Sequence, residues 1–231
     1  MCDYQIAINS RDRLIGDSNN FEYRLGRVVQ DVYAFSVSWL SLPIASYKVN
    51  ETNNKFDVGV STITITEGDY TKTTLATEIQ TQLQAVDANY SCSVSGNYLT
   101  ISHTSSNFIL SFNVDNSAYE LMGFIKTGSY TGTTSYTSPN SVNLYGSQVV
   151  HLTSKELGQQ SINDAYDNVV QSFVIDATYG NVHVYENNTP TVKKITTKNL
   201  DKLDFAIRKD DGTLFDLDGL EIVFNLHLYT E

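Results

Sequence analysis

The chain has 231 residues, a net charge of −11, 2 cysteines, 3 prolines and 15 tyrosines. No run of 18 apolar residues predicts a membrane helix, Cys2 and Cys92 are too few for a disulfide framework or a zinc cluster, and the acidity argues against a general nucleic-acid binder. The apolar and aromatic content is too high for disorder, and the Tyr, Thr, Ser and Asn mixture suits strands and turns. The opening MCDYQIAINSRDR lacks the basic and apolar regions of a signal peptide, so none is expected.

Charge is unevenly spread from the start. Four of the five arginines, Arg11, Arg13, Arg24 and Arg27, fall in residues 1–27 beside Asp3, Asp12, Asp17 and Glu22, which makes that segment neutral. Residues 28–231 therefore hold the whole −11. Residues 1–20 read as an N-terminal arm. Its guanidinium forks either seek carboxylates or phosphates on a neighbour or are simply solvated.

Residues 21–27 (FEYRLGR) alternate Phe21, Tyr23 and Leu25 with charged positions, a half-buried strand. Residues 32–42 (VYAFSVSWLSL) predict a central strand, ended by Pro43, which cannot donate to the ladder. Asn53-Asn54 reads as a turn, and 60–65 (VSTITI) as a further strand. Thr71 or Thr74 can cap a helix over about 73–86, because Leu75, Ile79, Leu83 and Val86 recur at spacings of 4, 4 and 3. Residues 90–95, 98–103 and 107–113 predict a three-stranded meander, with Gly96-Asn97 as its first turn, followed by a short helical turn at AYELMGF. Residues 127–141 (TGSYTGTTSYTSPNS) read as a polar linker. Strands follow at 142–145, 147–153, 168–178, 181–186, 202–209 and 220–229, with Asp210-Asp211-Gly212 as a turn.

The predicted fold class is mainly β, a single jelly-roll β-sandwich with a small α+β insertion. The boundaries are 1–20 for the arm, 21–66 with 130–231 for the jelly roll, and 67–129 for the insertion.

No catalytic, cofactor or metal site is predicted. His103, His151, His183 and His227 each sit in a predicted strand and show no ligand spacing. No nucleophile elbow, dinucleotide fingerprint or P-loop occurs. Cys92 reads as a small buried residue. Asp216, Asp218 and Gly219 resemble the start of a calcium loop, but the twelfth position is His227, so an acidic turn is expected. The sequons at Asn50, Asn89 and Asn187 reflect composition. Tyr130, Tyr136 and Tyr145 are either interface residues or chance exposure. The enzyme alternative, a glycan-active β-sandwich, would need a paired acid and base, and the sequence marks none.

Several phrases then recur in a characteristic order: Ser10-Arg11-Asp12-Arg13; Phe21-Glu22-Tyr23-Arg24-Leu25; Leu40-Ser41-Leu42-Pro43-Ile44-Ala45-Ser46-Tyr47; Ile65-Thr66-Glu67-Gly68-Asp69-Tyr70-Thr71; Leu121-Met122-Gly123-Phe124; Val142-Asn143-Leu144-Tyr145; and Leu203-Asp204-Phe205-Ala206-Ile207-Arg208 with Asp211-Gly212. Together they resemble the penton and minor capsid proteins of virophages, polinton-like viruses and related large DNA viruses. The resemblance implies a homopentamer at a five-fold vertex, docked against the major capsid protein and other minor capsid proteins. It implies location in the virion after assembly inside the host cell, with no cofactor and no specific nucleic acid. By position residues 1–20 look like the arm that reaches a neighbouring subunit or the inner capsid surface and 67–125 like the insertion, and Arg11, Arg13, Arg24 and Arg27 are the candidate interface residues. A spike or adhesin-like module recognising a host glycan or receptor is the alternative, with Tyr130, Tyr136, Asn187 and Asn188 as outer-loop contacts.

Overall fold

The two apolar stretches at 21–27 and 32–42 belong to one long strand. This is seen in a computed structural model, which describes residues 2–128, 130–146, 148–158 and 168–231. In chain order the elements are β1 (Cys2–Asn9), a 3-10 turn (Ser10–Asp12), β2 (Ile15–Asp17) and β3 (Asn20–Pro43). Next come β4 (Lys55–Val58), β5 (Ser61–Thr64), α1 (Lys72–Gln84), β6 (Tyr90–Ser95), β7 (Tyr98–His103), β8 (Phe108–Ser111), α2 (Tyr119–Met122), β9 (Tyr130–Thr133) and β10 (Ser135–Thr137). Last are β11 (Val149–Thr153), β12 (Val169–Val174), β13 (Val182–Glu186), β14 (Lys193–Lys209) and β15 (Val223–Thr230). They form two compact units, Met1–Ser46 with Ser147–Glu231, and Tyr47–Gly146.

The first unit is an antiparallel sheet with the path β1-β15-β3-β14-β11-β12, and β2 and β13 also pair with β3. β3 serves four partners: β2 along 20–22, β14 along 20–35, β15 along 32–41 and β13 along 39–43. It is interrupted at Asp31, which has φ +53° and whose N–H is taken by Asn199 Oδ1 at 3.0 Å. Aspartate tolerates that left-handed conformation better than most residues. The register of β14 shifts between Lys194 and Lys202. Such irregularities bend strands and increase their twist, so the long strands curl into a jelly-roll-like β-sandwich. Its core includes Phe35, Phe205 and Phe224, with the last two rings edge to face at 4.9 Å. β15 shows the alternation plainly: Phe224, Leu226 and Leu228 are fully buried, whereas Val223, Asn225, His227 and Tyr229 are half-buried on the other face.

The expected free arm is instead built into this sheet. β1 pairs with β15 residue by residue, from Cys2↔Thr230 to Asn9↔Val223. The cause is a period-2 pattern that the charge asymmetry masked: Ile8 is fully buried, and Tyr4 and Ile6 pack against the same core.

The second unit, Tyr47–Gly146, holds two small sheets, β10-β7-β6 and β5-β4-β8-β9, with one buried apolar cluster. In α1 the threonines at 71 and 74 act together, each side chain bonded to the other's backbone N–H in a capping box. Leu75, Ile79 and Leu83 are buried, whereas Val86 lies beyond the helix and is exposed. Tyr90–Ser95 and Tyr98–His103 form the expected hairpin. The third meander strand differs: β8 pairs with β4 and β9, and β10 takes the place beside β7. At the turn between β7 and β8 His103 Nδ1 accepts the backbone N–H of Ser106 at 2.9 Å.

The expected polar linker contains β9 and β10. Hydroxyl pairs hold β10 on β7, Thr100–Thr137 at 2.8 Å and Ser102–Ser135 at 2.7 Å. Cross-strand hydroxyl ladders stabilise strands whose composition looks like a loop. Residues 142–145 are not a strand: Val142 is buried in the second unit, and its N–H bonds to Asn97 O at 2.8 Å. The unit therefore runs from 47 to 146, where 67 and 129–130 were expected; Ser129 itself lies outside the described residues.

Candidate interaction surfaces

The outer face of the first unit carries a groove made by four neighbouring strands. Gln5 on β1 stands opposite His227 on β15, Asn225 opposite Trp39 on β3, and Trp39 opposite Glu186 on β13. The register between β3 and β15 steps from Asn225↔Trp39 to Leu226↔Val37, so Ser38 is an extra residue. That bulge puts Ser38 and Trp39, adjacent in sequence, on the same side, and both line the groove. Its volume is about 630 Å³, and the loop after β13 adds Asn187, Asn188 and Pro190 to its wall.

Hydrogen bonds fix this wall. Ser38 O accepts the Asn187 N–H at 2.8 Å, and Ser38 Oγ lies 3.1 Å from His227 Nε2. Asn187 is spent on its own loop, accepting the Thr189 N–H at 3.0 Å and donating to the Tyr185 hydroxyl at 3.1 Å. Asn188, the other residue expected in an outer loop, is exposed and faces the groove.

The four arginines do not form one cluster. Arg13 is a structural clip: its guanidinium donates to Glu221 at 2.9 Å, to Ser10 O at 2.8 Å and to Gly16 O at 2.9 Å. Ser10, fully buried, donates its hydroxyl to the same Glu221 and accepts the Ile222 N–H at 3.0 Å. Burial raises the Glu221 carboxyl, but the bonds from Ser10 and Arg13 together outweigh it and hold it below the ordinary range. Arg11 is exposed beside this clip, and Arg24 is exposed on β3. Arg27 lies over the Tyr4 ring at 4.8 Å, at the edge of a smaller groove of about 360 Å³ lined also by Ile6, Leu25 and Val29.

Tyr130 and Tyr136 are turned inward rather than offered to a partner. Tyr130 packs edge-on to Phe124 at 5.1 Å and Tyr136 edge-on to Phe108 at 5.0 Å. Their hydroxyls bond to Ile125 N and Phe108 O, each at 3.1 Å. A tyrosine next to a buried aromatic cluster gains more from packing than from exposure.

The remaining candidates fall into structural roles. His103 donates from Nε2 to Asp87 at 3.2 Å, since its Nδ1 is occupied as an acceptor. Hydrogen bonds from the Asn89 backbone and then from His103 lower the Asp87 carboxyl. His183 bonds to Asp176 at 2.8 Å and His151 to Ser172 at 2.8 Å. Burial pushes the Cys92 thiol up to about 12, which leaves it inert as a nucleophile. Asp216 accepts the Asp218 N–H at 2.9 Å in a tight turn with Gly219 at φ +73°. Among the described residues no group of three His, Cys, Asp or Glu side chains is placed to share a metal ion. No helix in them is long and apolar enough to cross a membrane.

No protein-family model matches the chain, and no curated protein matches it in sequence. Its structure, however, aligns with a crystal structure of the mavirus penton protein over 100% of both chains, at a TM-score of 0.53 and 10% identity. The two share a fold. A chain of the Sputnik virophage, from a cryo-EM structure, aligns over 99% of this chain and 97% of its own length, at a TM-score of 0.48 and 11% identity.

Proposed function

We propose that the chain is a structural subunit of a viral capsid, the penton that forms a homopentamer at a five-fold vertex and docks against the major capsid protein and other minor capsid proteins. The observation that carries this reading is the fold shared with the mavirus penton protein along the whole of both chains. The surface chemistry supports it. Identical subunits closing a ring meet through two different flanks, which must complement each other. The sheet of the first unit ends in β1 on one side and β12 on the other. Val174 on β12 is 70% exposed, and Val182 and Val184 on β13 are 52% and 51% exposed, apolar area that a neighbouring subunit would cover. The exposed Arg11 and Arg24 have opposite charge to the acidic stretch 28–231, so a contact that brought them to carboxylates of a neighbouring copy would be attractive. The chain thus belongs in the virion.

Light scattering on the size-separated protein tests the ring. The expected mass is five times that of the 25.8 kDa chain. A species that stays monomeric, alone and with the major capsid protein added, overturns the pentamer. A particle map without this fold at the five-fold axis overturns the vertex position.

A further inference from the structure

Trp39 is the single tryptophan of the chain, and it stands on the outer face of a sheet, not in its core. Around it converge Gln5, Glu186, Asn188 and Asn225, whose side-chain polar atoms have no hydrogen-bond partner among the described residues. The amides each bring two donors and one acceptor, and the carboxylate brings acceptors only. The site is built rather than incidental: the Ser38 bulge turns the indole into the groove, and the Asn187 bonds hold the loop that carries Asn188.

We infer that this groove binds a neutral sugar ring, one pyranose unit of a glycan. Such a ring has a C–H face that packs on the negative face of an indole, and a rim of hydroxyls that both donate and accept. Three amides and a carboxylate beside one aromatic side chain match that pattern. Charge selects the class of sugar. Among the described residues no lysine or arginine lines the groove, and its one carboxylate is Glu186, so sulfated and sialylated sugars are repelled, as they are by the net charge of −11. One indole is also too little to cage a quaternary ammonium, which needs several aromatic walls. The volume of about 630 Å³ lies in the range of small-ligand sites, about 300–1,000 Å³. The inference does not depend on the capsid reading, because all these residues belong to one chain.

The lone tryptophan makes the test direct. The whole protein is titrated with methyl glycosides of glucose, galactose, mannose and N-acetylglucosamine while Trp39 emission is followed, with sialyllactose, a heparin disaccharide and choline in parallel. A saturable change is expected with at least one neutral glycoside, at a dissociation constant of roughly 0.1–10 mM, insensitive to salt. Asn225→Ala and Asn188→Ala should each weaken it about fivefold or more, and Trp39→Phe, followed by calorimetry, should weaken it further. Asn188 is exposed on a loop, so its variant keeps the fold and the test stands even if a β3 variant does not. No response to any neutral glycoside overturns the inference, as does tighter binding of sialyllactose, heparin disaccharide or choline. A Trp39 signal that follows protein concentration but not sugar also overturns it, since the groove would then be a contact between copies.

Discussion

Residues 47–146 complete a core from one continuous stretch, whereas the sheet of the other unit needs β1 and β15, from opposite ends of the chain, to lie side by side. In the first case hairpins and one capped helix are neighbours in sequence, so local signals already specify the β4–β5 and β6–β7 pairings. In the second, closure waits for the last strand, and the entropy of bringing distant segments together must be met before their contacts form. The difference also shows in how polar side chains are used. The second unit spends the Tyr130 and Tyr136 hydroxyls and the exposed Thr100–Thr137 pair on ties within itself. The first leaves amides, exposed valines and arginines at its surface, available to partners.

The largest expected effect separates the two cores. Phe35→Ala in the first unit and Phe56→Ala in the second each remove a fully buried ring and should cost about 3–5 kcal/mol. Hydrogen exchange on the full chain should show the first variant loosening the amides of β3, β14 and β15, and the second those of β4 and β5. Equal loosening everywhere would mean the units are one cooperative body.

Next comes the tie between chain ends. Ser10→Ala strips Glu221 of a donor and leaves the buried Ile222 N–H without its acceptor, at a cost of about 2 kcal/mol in denaturant unfolding. Arg13→Met removes a partly exposed ion pair and should cost about 1 kcal/mol once screening by water is counted. Both carry a pH signature. A carboxyl held below its ordinary value of 4.5 adds stability above that pH, and the contribution is lost as pH falls through the lowered value. The stability difference between wild type and Arg13→Met should therefore shrink on acidification below pH 4.5. A difference that stays constant there would refute the clip. In the second unit, Thr71→Ala breaks the capping box and should cost about 1 kcal/mol, read from thermal unfolding.

The smallest effect on folding is the most informative about assembly. Arg11→Glu changes an exposed side chain and should shift stability by less than about 0.5 kcal/mol, yet reduce incorporation into particles if the arginine meets an acidic neighbour. Pairing it with Arg13→Glu, as the charge pattern alone suggests, would confuse assembly with the loss of the Glu221 clip.

Much of the second unit was legible because its cues are local. Leu75, Ile79 and Leu83 mark one helical face, and Gly96 at φ +62° supplies the left-handed turn of its hairpin. Its two polar strands were not, since Thr and Ser in β9 and β10 look like linker until their cross-strand partners are known. The groove was half legible. Asn187 and Asn188 stood out by composition, but Trp39 lay inside a stretch that read only as a central strand. A one-residue bulge reverses which side a strand residue faces, and no alternation pattern announces it.

The amino-acid sequence by itself determined the β-rich class, the capped helix, the hairpin turns and the uneven charge, because each depends on residues near one another in the chain. Only the tertiary structure decided that residues 2–9 are a sheet strand, that Arg13 is spent on Glu221, and that Gln5, Trp39, Asn188 and Asn225 share one groove. Those outcomes depend on strand register between distant segments, which is chosen by the burial of a whole apolar face at once.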